Sequence, residues 1–235
     1  MFRREQHRNV QALLAAFDSQ ALARCKILFG GGTRIVLELD EYRVSHDVDF
    51  LCSDPEGFAE LRFKAAKDGY DSLFRRDRAA GLGFPREMRI DQYGIRFPVV
   101  IAGDSIRVEL IREARIGLGP AAKPDWSPVD CLSLPDCYAE KLLANADRWA
   151  DRQVLSRDLV DLCALRWRVG PIPAEAWTKV EAAYRTAARD DLRKAISAFH
   201  QKDLYRRQCF EGLGVDASEG VLEGLSLLQG DLEAW

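Results

Sequence analysis

Histidine is scarce in this sequence, and its cysteines are scattered. The 235 residues include three histidines and six cysteines, and no two cysteines have C-x-x-C spacing. Structural zinc sites combine several such ligands at short spacings, so we expect no zinc site. The cysteines lie mainly in apolar stretches, which predicts buried thiols in a reducing compartment.

Long apolar runs and an excess of positive charge are missing too. The N-terminal residues are polar, and no run approaches the roughly 20 apolar residues of a membrane span, so we expect a cytoplasmic protein that does not enter the membrane. The formal net charge of -3 excludes an overall basic field for nucleic acid, and leaves only local cations such as "LFRRDR" and "LYRRQ". The composition is globular, with 47% hydrophobic and 30% charged residues.

The hydrophobic pattern predicts an α+β fold, with a mixed β-sheet and flanking helices followed by a mostly helical C-terminal domain. We expect one amphipathic helix over 2–24, a strand at "KILF", a helix directly after the glycines, a strand at "HDVDFLC", and a helix after Ser53 or Asp54. Period-two runs from about residue 86 predict antiparallel strands. The Gly- and Pro-rich segment 117–128 reads as a linker, so we expect domains at 1–120 and 121–235.

A run of three glycines stands between the first predicted strand and its following helix. Such a turn exposes backbone N–H groups at a helix N-terminus, where phosphate binds well. Gly31, Gly32 and Thr33 are therefore candidate phosphate-binding residues. Taken alone, a glycine turn is a weak signal, because it can serve only as a tight turn.

Asp47 and Asp49 are two residues apart on a predicted strand, so both side chains should point to one face, with Val48 on the other. Two neighbouring carboxylates repel each other unless a cation neutralises them, and magnesium binds one or two carboxylates together with phosphate oxygens. An isolated D-x-D is more often a decorated strand end, but here it follows the glycine turn within one helix. Glu109, on the "SIRVELI" strand, is a candidate third carboxylate, with a surface salt bridge as the alternative.

The stretch "GGGTRIVLELDEYRVSHDVDF" resembles the signature of the DNA polymerase beta-type nucleotidyltransferase superfamily. It is most similar to the AbiEii/AbiGii toxin nucleotidyltransferases, which include the MenT-like toxins. In that family an arginine follows the G-G-T stretch, and S-x-D-x-D-F follows the arginine. The matching residues are Arg43, Ser45, Asp47, Asp49 and Phe50.

A second block, in the helical half, carries the same resemblance. The family has a lysine and an arginine on one helix and R/K-D-x-x-D-L on the next, which Lys141, Arg148, Arg157, Asp158 and Asp161 match. Lys141 and Arg148 are seven residues apart and share one helix face. Asp158 is expected to hold Lys141 in place or to act on substrate, whereas Asp161 is expected to serve packing or a helix bond.

The resemblance implies a magnesium-dependent nucleotidyltransferase, with manganese as an alternative ion, that transfers NMP from an NTP to an acceptor. Implied metal ligands are Asp47, Asp49 and Glu109, and implied catalytic residues are these three with Lys141 and Asp158. The implied nucleotide-binding residues are Gly31, Gly32, Thr33, Arg43, Ser45, Lys141 and Arg148. The helical domain is expected to complete the active-site cleft.

For partners, the resemblance implies the toxin of a toxin–antitoxin or phage-defence system, with an antitoxin partner and with RNA such as tRNA as acceptor. Two alternatives stay open. One is a small-molecule nucleotidyltransferase of the aminoglycoside-modifying type, in which the same residues would serve. The other is a non-catalytic protein-binding relative that keeps the fold.

Overall fold

A computed structural model describes residues 1–233 of the chain. The described residues form five strands and ten α-helices. The strands are β1 (Leu28–Gly30), β2 (Val48–Cys52), β3 (Arg89–Ile90), β4 (Gly94–Ile101) and β5 (Asp104–Arg112). The helices are α1 (Glu5–Ala16), α2 (Ser19–Arg24), α3 (Gly31–Glu38), α4 (Pro55–Asp68), α5 (Leu134–Arg148), α6 (Arg157–Arg168), α7 (Ala174–Tyr184), α8 (Ala187–Gln201), α9 (Asp203–Gly212) and α10 (Ser218–Glu233).

The N-terminal segment is two helices, so the prediction of a single helix over 2–24 was wrong. The first helix ends where Phe17 adopts an extended conformation. Asp18 then caps α2, because its side chain accepts a hydrogen bond from the backbone N–H of Ala21 at 2.9 Å. An aspartate competes well for this capping role, and periodicity alone does not register the break.

The sheet has the strand order β1-β2-β5-β4-β3, in which β2 and β5 are parallel and every other pair is antiparallel. A turn at Ala102–Gly103, with both residues at positive φ, joins β4 to β5. The predicted α+β fold with a mixed sheet is confirmed. The chain passes from β2 through α4, β3 and β4 before it reaches β5. A parallel pair of strands requires such a long connection.

Alternation along the strands separates a core face from a polar face. In β2, Val48, Phe50 and Cys52 are buried while Asp49 is half-buried. Phe50 packs edge-on against Phe17, with ring centroids 5.1 Å apart. Burial of one face therefore fixes the register of β2 and leaves Asp49 on the opposite face.

The described chain forms two compact units, and neither is one continuous segment. The first contains Met1–Arg34 and His46–Ser133, and the second contains Ile35–Ser45 and the described residues from Leu134 onward. The division expected from the sequence, 1–120 and 121–235, differs from these bounds. Ala122 pairs with Cys131 by backbone hydrogen bonds of 2.9 Å, which ties the Pro-rich segment to the first unit.

Helices α5 to α10 build the second unit around buried apolar faces. Helix α5 packs on α6, α7 and α8, and α10 packs on α6. The last contact is very close, since a Cβ at Gly224 would lie 2.7 Å from the carbonyl carbon of Cys163. All six cysteines are buried, as predicted. None of the helices within residues 1–233 is long and apolar enough to cross a membrane.

Candidate functional site

The glycine turn lies where β1 passes directly into α3. The helix begins at Gly31, so two of the glycines belong to its first turn rather than preceding it as predicted. Gly31 has a φ of +67° and a Cβ there would lie 2.9 Å from Cβ of Asp49, and closer still to a carboxylate oxygen. The position therefore requires glycine both for its backbone and for the aspartate beside it. Gly32 is half-buried and Thr33 is buried in the same first turn.

Asp49 lies in the middle of a row that crosses three strands. It is the register partner of Gly30 on β1 and of Glu109 on β5. Neighbouring strands are about 4.8 Å apart, so the parallel pairing brings both carboxylates to one place on the polar face. The sequence placed Glu109 only by its position in a strand, and the register puts it beside Asp49.

Asp47 lies one residue before β2, which begins at Val48, so the prediction that both aspartates are strand residues was wrong for Asp47. The alternation nevertheless continues, since Asp47 and Asp49 are half-buried and Val48 is buried. A strand ends where its pairing ends, and the register of β2 on β5 starts at Val48 with Val108.

Arginines neutralise the carboxylates. Arg107 donates a 2.6 Å hydrogen bond to Oδ2 of Asp47, and Arg96 Nε lies 3.7 Å from a carboxylate oxygen of Glu109. Burial on its own lowers the pKa of Arg107, but the negative charges of Asp47, Glu109 and Asp49 outweigh it and raise that pKa. The positive charge of Arg107 therefore interacts with all three acidic side chains.

This donor set fits a hard cation only in part. Carboxylate oxygens are the ligands that Mg²⁺ prefers. Within residues 1–233, however, no group of three or more His, Cys, Asp or Glu side chains is arranged to hold a metal ion. The arrangement fits a cation held by one or two carboxylates whose other ligands come from substrate phosphates or water.

A second set of charged side chains lies in the second unit. Lys141 Nζ is 2.9 Å from Oδ1 of Asp158, and Arg148 donates to both oxygens of the same carboxylate at 2.7 and 3.0 Å. The seven-residue spacing does place Lys141 and Arg148 on one face of α5, and Asp158 does hold Lys141. The Lys141 side chain is only 8% exposed, whereas that of Arg148 is 35% exposed.

Asp161 extends this network deeper into the unit. It accepts hydrogen bonds from Arg43 at 2.7 and 2.9 Å and from the Tyr42 hydroxyl, and Lys141 Nζ lies 2.6 Å away. The prediction that Asp161 serves packing or a helix bond missed these ion pairs. Arg43 was predicted to bind nucleotide, but its side chain is 4% exposed and engaged with Asp161. Ser45 lies nearby in sequence and is half-buried.

The pKa values of the two aspartates follow from this arrangement. Burial alone raises the pKa of Asp158, but the charges of Lys141 and Arg148 bring that pKa well below its usual range. For Asp161, burial is likewise outweighed by Arg43 and Lys141, and its pKa is lowered. Both carboxylates therefore stay ionised inside the unit.

The structure thus brings the predicted residues together in two sets. Gly31, Asp47, Asp49 and Glu109 form one set in the first unit, and Lys141, Arg148 and Asp158 form the other in the second. Sequence reasoning missed Arg107 and Tyr42 as members. Arg107 had a signal, since it alternates onto the same face of β5 as Glu109. No sequence pattern connects Tyr42 to a helix more than 100 residues later.

A family of known proteins matches most of the chain. The sequence model described as "Nucleotidyl transferase AbiEii toxin, Type IV TA system" matches residues 12–213. No curated protein matches the sequence.

Two solved structures are similar over nearly the whole length. One, a proposed nucleotidyltransferase from H. pylori, has 17% sequence identity and a TM-score of 0.54, and the match covers 98% of each chain. The other, JHP933 from Helicobacter pylori, has 12% identity and a TM-score of 0.60, and the match covers 100% of this chain and 96% of that one. At these identities the likeness shows the fold.

Proposed function

Because this chain belongs to the AbiEii nucleotidyl transferase toxin family of type IV toxin–antitoxin systems, we propose that it transfers NMP from an NTP to an RNA acceptor such as the 3′ end of a tRNA. Family membership makes the chain a nucleotidyltransferase. The ion, the nucleotide site and the acceptor are our proposals, as are a cognate antitoxin partner and a cytoplasmic location.

The observation that supports this function best is the position of Asp49, which is the register partner of Glu109 and lies against Gly31 at the start of α3. It sets backbone N–H groups of a helix N-terminus beside two carboxylates on adjacent strands. Backbone N–H groups bind phosphate, and carboxylates bind the cation that phosphate shares. A nucleoside triphosphate with its magnesium requires this combination.

In the proposed reaction, the acceptor hydroxyl oxygen forms a bond to the α-phosphorus while the bond to pyrophosphate breaks. Glu109 accepts the proton of that hydroxyl, and Gly31, Gly32 and Thr33 hold the phosphates. Asp47 and Asp49 would hold Mg²⁺, or Mn²⁺, which when bound supplies Lewis-acid stabilisation of the developing charge. Arg107 has to release Asp47 for that ligation, and its side chain is 54% exposed and able to move away.

The second set supplies cations for the phosphates in this proposal. Arg148 is the more accessible of the two, and Lys141 is positioned by Asp158 and Asp161. Arg43 acts through Asp161 as a positioning residue, because its guanidinium is buried against that carboxylate. Its predicted direct contact with nucleotide, like that of Ser45, stays a prediction.

The deciding experiment follows label from each of the four α-labelled NTPs into total RNA, purified tRNA, protein or an aminoglycoside panel, with Mg²⁺ present. We expect label in RNA, and Asp49→Asn should lower transfer by about 100-fold or more, since a metal ligand supports several kcal/mol of transition-state stabilisation. Asp71→Asn is the matched control, because Asp71 is an exposed carboxylate paired with Arg76 in the same unit.

Absence of transfer to any acceptor, together with no effect of Asp49→Asn, would refute the proposal. If aminoglycosides but not RNA became labelled, the proposed nucleotidyl transfer would stand, and the acceptor would be a small molecule instead of RNA. A circular dichroism melt of Asp49→Asn confirms that the loss is chemical rather than structural.

A further inference from the structure

The second unit contains a pocket that the proposed reaction does not use. It has a volume of about 210 Å³ and is lined by α8, the start of α9 and the connection between α5 and α6. Sites for drug-sized ligands are usually larger, about 300 Å³ and upward, so this pocket suits a single ring system. It is compact and lies entirely within one unit.

Aromatic rings and cations share the lining. Trp149, Phe199 and Tyr205 supply the rings, and Arg152 and Lys202 supply positive charge. The Arg152 guanidinium lies over the Tyr205 ring, 5.6 Å from its centroid. None of the described residues that line the pocket is acidic. Aromatic rings and an arginine guanidinium are both surfaces on which a nucleobase stacks, and the cations beside them suit its phosphate.

Chain connectivity ties the pocket to the ion pair between Arg148 and Asp158. Trp149 directly follows Arg148, and Ser156 lies two residues before Asp158. Leu155 and Ser156 have φ values of 54° and 50°, a left-handed conformation that is strained in two consecutive non-glycine residues. The Ser156 hydroxyl lies 3.1 Å from the Tyr205 hydroxyl, which helps to hold this turn against the pocket.

We propose that this pocket binds the 3′-terminal nucleobase of the single-stranded RNA acceptor, with the adjoining phosphate on Arg152 and Lys202. The inference rests on the proposed RNA acceptor and adds the subsite that holds it. Two lining cations are enough to neutralise the single charge of a phosphodiester, whereas a triphosphate carries more negative charge than they neutralise. The volume of about 210 Å³ suits a single base.

The test measures binding to the full-length protein without NTP, so that no transfer occurs. The probe is a 5′-fluorescein 12-nucleotide single-stranded RNA, compared by anisotropy with the same RNA lacking only its 3′-terminal base. The wild-type protein should bind the complete RNA about fivefold more tightly or better, the effect of one stacked base. Tyr205→Leu should erase that difference, and Tyr205→Phe, which keeps the ring, should retain it.

Salt dependence tests the phosphate contact. Arg152→Ala and Lys202→Ala should each reduce the slope of log K against log salt by about 0.7, the value for one phosphate contact of a single strand. Arg168→Ala removes an exposed arginine that packs on Trp167 in the same unit, and it should leave the slope unchanged. If Tyr205→Leu fails to fold, the Arg152 and Lys202 variants still test the phosphate contact, and the RNA that lacks its terminal base still tests base binding.

Equal binding of complete and abasic RNA by the wild-type protein would overturn the inference. So would a Tyr205→Leu variant that loses ATP affinity in a thermal-shift titration but keeps full RNA discrimination, because the pocket would then hold the NTP base. If label reaches RNA but the pocket variants bind and transfer normally, only this inference fails. If RNA binds in the pocket but receives no label, only the proposed function fails.

Discussion

The carboxylate of Asp49 lies against the α-carbon of Gly31, so close that a Cβ atom on Gly31 would be 3.0 Å from Cγ of the aspartate. The two residues are linked by the pairing of β1 with β2, where Gly30 is the register partner of Asp49. The glycine that opens the helix and the acid on the neighbouring strand are therefore one structural feature. A side chain added at Gly31 would therefore displace the carboxylate of Asp49.

Gly31→Ala should abolish nucleotidyl transfer and destabilise the fold, because it combines an unfavourable φ with a clash against Asp49. Gly69→Ala is the matched control, since Gly69 has a φ of +59° but nothing within 4 Å of its would-be Cβ. The control, whose φ of 59° and ψ of -138° lie in a sparsely populated region, should lose only about 1–3 kcal/mol and keep its activity. Urea melts and the transfer assay compare the two variants. Equal losses of stability and activity would show that the contact with Asp49 is unimportant.

Arg107→Gln should lower the Mg²⁺ concentration for half-maximal transfer. Arg107 donates to Asp47 and its pKa reports the charges of all three carboxylates, so it competes with a cation for them. Because the pair is partly exposed, we expect a shift of only about twofold to fivefold. The measurement is a Mg²⁺ titration of initial rate.

Arg112→Gln is the control for that titration, since it removes the same charge from the exposed end of the same strand. An equal shift in both variants would mean that Arg107 affects Mg²⁺ binding only through the net charge of the protein, and not through its contact with Asp47. A rise in the half-maximal concentration for Arg107→Gln would contradict the competition outright.

Asp161→Asn should destabilise the protein by about 3–5 kcal/mol, the range for breaking a buried ion pair by removing one partner. It leaves the charges of Arg43 and Lys141 buried without their shared counterion. Asp190→Asn, at an exposed pair with Arg193, should cost less than about 1 kcal/mol. Chemical denaturation measures both, and similar small losses would show that the network adds little to stability.

Acid should destabilise the wild-type protein through Asp158 and Asp161. Both folded-state pKa values are lowered, so the unfolded chain binds more protons near pH 4. Their contribution is fully present above about pH 4 and is lost as the pH falls further toward the folded-state pKa values. Denaturation free energies between pH 7 and pH 3 should fall less steeply in Asp161→Asn. Parallel curves for the two proteins would contradict this origin.

Local patterns predicted the parts of the site that are local in sequence. The glycine turn, the D-x-D alternation and the shared face of Lys141 and Arg148 all depend on spacings within one or two elements. Strand and helix periods fix such relationships, and the structure confirms the two faces of β2 and the contact of Lys141 with Asp158.

Periodicity and short motifs did not predict contacts between residues that are far apart in the sequence. The pairing of Asp49 with Glu109 depends on a parallel register between strands about 60 residues apart, which burial and the intervening chain determine together. The contact of Tyr42 with Asp161 has no local signal at all. The break between α1 and α2 was lost for the opposite reason, since one capping aspartate outweighed a continuous apolar period.

The segment Ile35–Ser45 has a consequence for inheritance. It is encoded between two parts of the sheet-bearing unit, yet it carries an arginine that neutralises an acid on α6 and a tyrosine that donates a hydrogen bond to the same acid. A gene fragment that starts at Leu134 encodes that acid together with Lys141 but without Arg43, the other of its two counterions. Recombination between relatives at a point between this segment and α6 would join an acid from one parent to an arginine from the other.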